Sequence, residues 1–228
     1  MIDLYGINFE KKLIIKEYPF CFRRHTFKEN RYPADYSPSM KILPSVIGEF
    51  LVRHIVSIKF NCDPQDITIS LDSSGKPYFN SFKSCHFNIS HSGNWVVCAF
   101  ENDPVGIDIQ KIIKIPRKEL DAIVLRFFHK DEQIQYFNLE DSEKENFFFT
   151  QWAIKESYIK LVGTPSQISL QSFSAFLDQD GRGSISNGSQ IRYFQQYDID
   201  SNYKLVACCS NDSFPSSLKK IIIPPNNK

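Results

Sequence analysis

The sequence predicts an α+β protein of two similar lobes, each a long helix packed on a small, mostly antiparallel sheet. Three observations lead there. Residues 44–60 and 143–162 carry apolar side chains at helical spacing. Each stretch is followed by short β-branched and aromatic segments, bounded by Gly, Pro, Asn, Asp and Ser. The order also repeats. "YGIN" (5–8) leads to the first helix and three strands ending in "WVVCAF". "VGID" (105–108) leads to helices and three strands ending in "KLVACC". The reading divides the chain into lobes 1–103 and 104–228, joined at "ENDPVG", each of ordinary small-domain size. A cleft between such lobes is a common place for a ligand.

The elements follow in order. In "PSVIGEFLVRHIVSIKF", Val46, Ile47, Phe50, Leu51, Ile55 and Ile58 share a helical face, with Pro44 just before the start. "DITISLD", "CHFNIS", "NWVVCAF" and "PVGIDI" are strands, with turns at "SSGKP" and "SGN". Residues 116–138 form two shorter helices, "RKELDAIVLRFF" and "KDEQIQYF". The helix near 143–162 opens on a Ser142–Glu145 capping box and stops at Gly163 and Pro165. "SFSAFLD", "QIRYFQQYDI" and "YKLVACC" are the last strands, and "QDGRGS" is a turn.

Composition narrows the function. A chain of 228 residues buries a core without disulfides or a structural metal. With 42% hydrophobic and 23% charged residues it is not a disordered chain. The 27 basic residues are matched by 26 acidic ones, so no global field draws nucleic acid or an anionic membrane. The six cysteines form no CxxC pair, which speaks against zinc and for reduced packing residues. The start has no basic n-region or long apolar h-region, and no apolar run approaches the roughly 18–20 residues that span a bilayer. The expected compartment is the cytoplasm.

Four motifs stand out. In "QWAIKESYIK", Phe149, Trp152, Ala153, Glu156 and Lys160 share one stripe of a helix that is apolar almost all round. A solvated Glu–Lys pair would contribute about 0.3–0.5 kcal/mol. Here there is hardly a solvated face, and burying both charges is costly unless a ligand or metal compensates. In "GIDIQ", Asp108 and Gln110 point to one side of a strand. Joined by Glu156 they make an oxygen set suited to magnesium; alone, a strand-end Asp such as Asp108 is more often a turn former. In "FNISHSG", Asn88, Ser90, His91 and Ser92 suit an anion or make an ordinary polar turn. "SSGKP" sets Lys76 beside Pro77 on stiff backbone, and "RRHTFKENR" gathers Arg23, Arg24, Lys28 and Arg31.

Taken together and in order, "GKP" (75–77), "FNISHSG" (87–93), "GIDI" (106–109) and "WAIKES" (152–157) followed by Lys160 resemble a known family. It is the 4′-phosphopantetheinyl transferases of the large, two-lobed kind that activates surfactin synthetase. The resemblance implies transfer of the phosphopantetheine arm of coenzyme A to a serine of an acyl or peptidyl carrier protein, releasing adenosine 3′,5′-bisphosphate. It further implies that Asp108 and Glu156 hold magnesium with Gln110, that Glu156 deprotonates the carrier serine, and that Lys160 meets the pyrophosphate, flanked by Lys155. By the same resemblance Ser90 and His91 bind coenzyme A phosphates and Lys76 and Pro77 lie against the adenine nucleotide. Lys28, Arg31 and Lys41 are then candidates for the 3′-phosphate.

Three departures qualify the match. Gln110 stands where the family commonly has an acid, which removes a charge from the metal site. Around "SPSMKILPSVIG" there is no arginine, and Lys41 offers a point charge without a bidentate fork. "VGTPSQISL" lacks the second glycine usual after the catalytic helix. The alternative to a transferase is a degenerate relative that binds carrier protein or coenzyme A without turnover; a third reading is a magnesium-dependent phosphohydrolase. The carrier is expected to dock on residues 110–135, where Phe127 and Phe128 are either docking groups or core. A repeat that supplies both walls of the site suits a monomer.

Overall fold

A stretch of alternating residues from Asp3 to Asn8 forms the first strand, with Leu4 and Ile7 almost wholly buried. The computed structural model describes residues 2–9, 43–163, 168–187 and 190–222. Their elements run β1 (Asp3–Asn8), α1 (Leu43–Phe60), β2 (Ile69–Leu71), β3 (Pro77–Phe79), β4 (His86–Ser92), β5 (Trp95–Glu101), β6 (Gly106–Lys111), α2 (Arg117–Phe127), α3 (Lys130–Asn138), α4 (Asp141–Val162), β7 (Arg182–Asn187), β8 (Gln190–Tyr197), β9 (Tyr203–Cys209) and β10 (Lys219–Lys220). The protein is thus mixed α+β. It divides into two compact units, Met1–Asp103 with Pro215–Lys228, and Pro104–Phe214.

In the first unit the sheet order is β10-β1-β5-β4. β5 is buried along its whole length, as a central strand must be, and α1 packs on β4 and β5. Val46, Ile47, Leu51, Val52, Ile55 and Val56 form the buried face of α1. Ile58, expected on that face, is 68% exposed because the last turn runs past the sheet's apolar cluster. β2 and β3 form a small separate hairpin. Its turn is closed by Asp72, whose Oδ1 accepts the backbone N–H groups of Ser74 (2.8 Å) and Lys76 (2.9 Å). Gly75 takes the left-handed conformation there, φ 84°.

In the second unit an antiparallel sheet runs β6-β9-β8-β7. α4 lies on β6 and β9. Beside it, α2 and α3 close an aromatic cluster in which Phe128, Phe148 and Trp152 stack.

Four sequence expectations need correction. α4 starts at Asp141, and its capping box is Glu140 with Glu143, not Ser142 with Glu145. The C-terminal stop at Gly163 takes the αL conformation, φ 76°, while Pro165 lies outside the described residues. "SFSAFLD" is not a strand. Phe173 and Ala175 are buried in alternation, but Ala175 N–H donates to the Glu132 carboxylate instead of to a neighbouring strand. "QDGRGS" is half turn and half β7, whose Gly183 leaves room for the Phe176 carbonyl and the Phe194 ring. Finally, the second lobe was expected to reach residue 228. Instead β10 pairs in parallel with β1 (Tyr5 with Lys219, Gly6 with Lys220), so the residues after Phe214 group with the first unit.

Candidate functional site

The site grows from the seam between β6 and α4, both in the second unit. Successive residues of a strand alternate in direction. Gly106, Asp108 and Gln110 therefore share the side of β6 that meets the helix. Gly106 makes the close approach possible: a Cβ there would overlap the Ser157 carbonyl oxygen and come within 2.7 Å of the Leu161 nitrogen. Both atoms are backbone and cannot swing away. Gly106→Ala is expected to cost about 3 kcal/mol, the upper end for overpacking, read as a lowered urea midpoint with unchanged slope.

Two residues along β6, the Asp108 carboxylate is held from both sides. Lys160 Nζ donates to Oδ1 at 2.5 Å, and Gln110 Nε2 donates to Oδ2 at 2.7 Å. The carboxylate is buried, while the Lys160 side chain is 27% exposed. On α4 the half-buried positions Trp152, Glu156 and Lys160 fall four residues apart and make one open stripe. Glu156 sits close enough to feel both neighbours. Burial raises its pKa above the ordinary 4.5 and the negative field of Asp108 adds to this, with Lys160 opposing. Two carboxylates that repel one another beside one ammonium form a place where further positive charge is favoured.

The structure thus brings Asp108, Gln110, Glu156 and Lys160 together. It does not bring Lys155 with them. One residue back from Glu156, Lys155 points about 100° around the helix and is fully buried. Its Nζ meets Glu132 Oε2 at 2.8 Å, donates to the carbonyls of Leu170 (2.8 Å) and Phe173 (2.9 Å), and lies 4.4 Å from the Phe173 ring centroid. Burial pushes Lys155 down and Glu132 up, each partly offset by the other. Lys155 is a buried strut, not a coenzyme contact. Its partner Glu132 also accepts the N–H of His129 at 2.9 Å and of Ala175 at 3.1 Å. Sequence reasoning missed Glu132; an acid three residues after His129, at the start of a short helix, was the available signal.

In the first unit, Ser90 is buried and His91 exposed on alternate faces of β4. Lys76 is half-buried at the end of the Asp72 turn; burial lowers its pKa and Asp72 opposes this. Pro77 opens β3 opposite Leu71. Lys28, Arg31 and Lys41 lie outside the described residues. Phe128 is core, and Phe127 packs edge-on against Trp152. The exposed apolar side chains of 110–135 are Ile113, Leu125 and Ile134. Among the described residues, no three His, Cys, Asp or Glu side chains converge on one point, and no helix is long and apolar enough to cross a membrane.

Residues 104–209 match the family described as the 4′-phosphopantetheinyl transferase superfamily, and residues 32–103 match the description 4′-phosphopantetheinyl transferase, N-terminal. The chain is 36% identical over 179 residues to 4′-phosphopantetheinyl transferase Sfp of Bacillus subtilis strain 168, covering 78% of each protein. It is 32% identical over 212 residues to 4′-phosphopantetheinyl transferase gsp of Aneurinibacillus migulanus, covering 92% of this chain and 81% of that protein. A solved holo-(acyl-carrier-protein) synthase of Bacillus anthracis, in complex with coenzyme A, superposes with a TM-score of 0.40 at 23% identity, over 46% of this chain and 92% of that one. So partial a superposition adds nothing to the assignment.

Proposed function

The chain belongs to the 4′-phosphopantetheinyl transferase superfamily as an Sfp-type member, and on that premise we propose that it transfers the phosphopantetheine group of coenzyme A to a serine of an apo carrier protein. The carrier serine oxygen attacks the pantetheine-side phosphorus of the pyrophosphate. The bond to the bridging oxygen breaks, and adenosine 3′,5′-bisphosphate leaves. Such a transfer needs positioning and charge neutralisation more than covalent help from the enzyme.

The observation that carries this reading is the convergence of Asp108, Glu156 and Lys160 on one open stripe. Glu156 takes the serine proton: its carboxylate is half-buried, and burial with the field of Asp108 raises its pKa above the ordinary carboxylate value, which makes it a stronger base. Lys160 meets the charge that develops on the leaving phosphate. Asp108 holds the Lys160 ammonium in place beforehand. Lys76, Pro77, Ser90 and His91 of the first unit are the proposed coenzyme A contacts, joined by Lys28, Arg31 and Lys41.

The carboxylates of Asp108 and Glu156, which repel each other, are hard ligands that fit magnesium once Lys160 and the Gln110 amide nitrogen give up the Asp108 oxygens they now occupy. Asp108 and Glu156 would hold the ion; Gln110, whose amide nitrogen now faces Asp108, would offer its carbonyl oxygen only with its carboxamide turned over. When bound, it supplies Lewis-acid neutralisation of the pyrophosphate. Gln110 contributes no charge, so this site binds the ion less tightly than one with a third carboxylate.

The reading takes the two units as variants of one plan. In the first, β1 pairs with β5 and β5 with β4; in the second, β6 pairs with β9 and β9 with β8, all antiparallel. In the first a long helix, α1, packs on β5, and in the second α4 packs on β9. The helices even match in charge. Glu49 and Arg53 stand at the spacing of Glu156 and Lys160, but there they bond each other at 2.8 Å, and Arg53 also caps the carbonyls of Pro64 and Ile67. A duplicated ancestor accounts for this, with one copy of the pair structural and the other turned to chemistry. The reading includes a monomer acting in the cytoplasm.

The decisive experiment incubates the chain with coenzyme A, magnesium and an apo carrier, then weighs the carrier. The expected result is a gain of one phosphopantetheine group per carrier. An unchanged carrier with intact coenzyme A would favour the degenerate binder. Coenzyme A breakdown without carrier modification would favour a hydrolase.

A further inference from the structure

Asp108 and Lys160 are unequally placed. The Asp108 side chain is 2% exposed and the Lys160 side chain 27%, so the lysine is the outer member of the pair. A cation that approaches from solvent meets the ammonium before it meets the carboxylate.

Both Asp108 oxygens face hydrogen-bond donors. Lys160 Nζ donates to Oδ1 and Gln110 Nε2 donates to Oδ2. A magnesium ion takes an oxygen lone pair at about 2.1 Å and needs it clear of positive hydrogens. An ion that close to Oδ1 would lie within about 5 Å of an ammonium held on the same atom, and burial strengthens the repulsion between them. The two cations therefore compete for one carboxylate. Lys160 is the donor able to leave, since it is part-exposed and carries its charge on a flexible stem.

We propose that Lys160 and a divalent cation exclude one another at Asp108, so that Lys160 is an internal counter-ion which metal binding releases. This rests on the magnesium reading above and adds an order of events to it. Lys160 leaves Asp108 when the ion binds, and its ammonium turns to the pyrophosphate. By reciprocity, an anion that draws Lys160 outward opens Asp108 to the ion. One side chain thus couples the two binding events, and Lys160 is withheld from the phosphates until the metal site is filled.

The test measures cation binding to the whole chain without coenzyme A. Manganese is titrated into the parent, Lys160→Met and Lys111→Met, and the free ion is followed by its EPR signal. Lys111 is exposed and points to the other face of β6, so it controls for the loss of one positive charge as such. Lys160→Met is expected to bind manganese about tenfold more tightly than the parent or better, and Lys111→Met within about threefold of the parent. Without a divalent cation Lys160→Met melts below the parent, because two carboxylates lose a shared ammonium. Magnesium then raises its Tm by more than it raises the parent's. In the parent, magnesium moves the ε-methylene NMR signal of Lys160, assigned by its loss in Lys160→Arg, toward that of an exposed lysine. This titration carries the test if Lys160→Met fails to fold. The inference is overturned, with the magnesium site left standing, if Lys160→Met binds no more tightly than Lys111→Met or if the Lys160 signal stays in place as magnesium saturates. No divalent binding by any of the three proteins would remove the magnesium site as well.

Discussion

Glu156→Gln lowers the turnover of carrier modification by about a thousandfold, within the range of lost general-base catalysis, while leaving the fold at least as stable as the parent. The two halves of this result have one cause. The ionised carboxylate is what takes the serine proton, yet it is also what the fold disfavours, since burial and Asp108 raise its pKa. A carboxyl whose pKa is higher in the folded than in the unfolded chain binds protons more tightly when folded. Its ionisation therefore subtracts stability as pH rises above the ordinary value of 4.5. Glutamine keeps the shape and removes that loss. In magnesium-free buffer the Tm of Glu156→Gln should match the parent near pH 4 and exceed it above 4.5, the gap widening until the folded-state pKa is passed and constant beyond it. The carrier mass shift measures turnover, and thermal melts across pH measure the rest. A variant with parental turnover would remove Glu156 from the chemistry. A variant with a depressed Tm at every pH would make it a packing residue.

Lys155→Met and Glu132→Gln each destabilise the chain by about 3–5 kcal/mol, because each leaves one buried charge without its partner. Both side chains have no measurable exposure, and their contacts tie α3, α4 and the segment around Phe173 together. Against a usual total of about 5–15 kcal/mol, either change brings the protein near its unfolding threshold. The double variant, Glu132→Gln with Lys155→Met, recovers more than half of the loss, since neither charge remains. Urea unfolding of the four proteins measures the coupling directly. Single variants within about 1 kcal/mol of the parent, the cost of an exposed pair, would mean that the buried pair is not a strut. Residual carrier modification in the single variants should follow the folded fraction, which separates this pair from Glu156.

The contrast between these neighbours shows where sequence reading stops. The 143–162 pattern is apolar nearly all round. It therefore announces a buried helix but not which of Lys155, Glu156 and Lys160 faces the open stripe. Only the packing of β6 at Gly106 settles that, by presenting Asp108 to Lys160 and leaving Lys155 to the interior. Asp108 and Glu156, 48 positions apart, came together in the reading because the motif resemblance joined them; spacing within the chain carries no such information. β9 was legible residue for residue, being a run of Leu, Val, Ala and Cys between clear turns. β7 was not, since "RGSISN" has the composition of a loop and becomes a strand only by pairing with β8. In "SFSAFLD" the alternation truly reported burial on one side, but alternation cannot say whether the backbone finds a strand partner or, as here, a carboxylate.

The pairing of β10 with β1 bears on how the chain comes to be folded at all. Synthesis proceeds from the amino end, and Tyr5 and Gly6 leave the ribosome more than two hundred residues before Lys219 and Lys220. Until those residues are made β10 cannot cover its side of β1, a long wait for a strand edge that can recruit foreign chains. The intervening unit has its own core and sheet and can collapse first. Late closure by a two-residue strand then makes the residues around Lys219 a checkpoint on those around Tyr5.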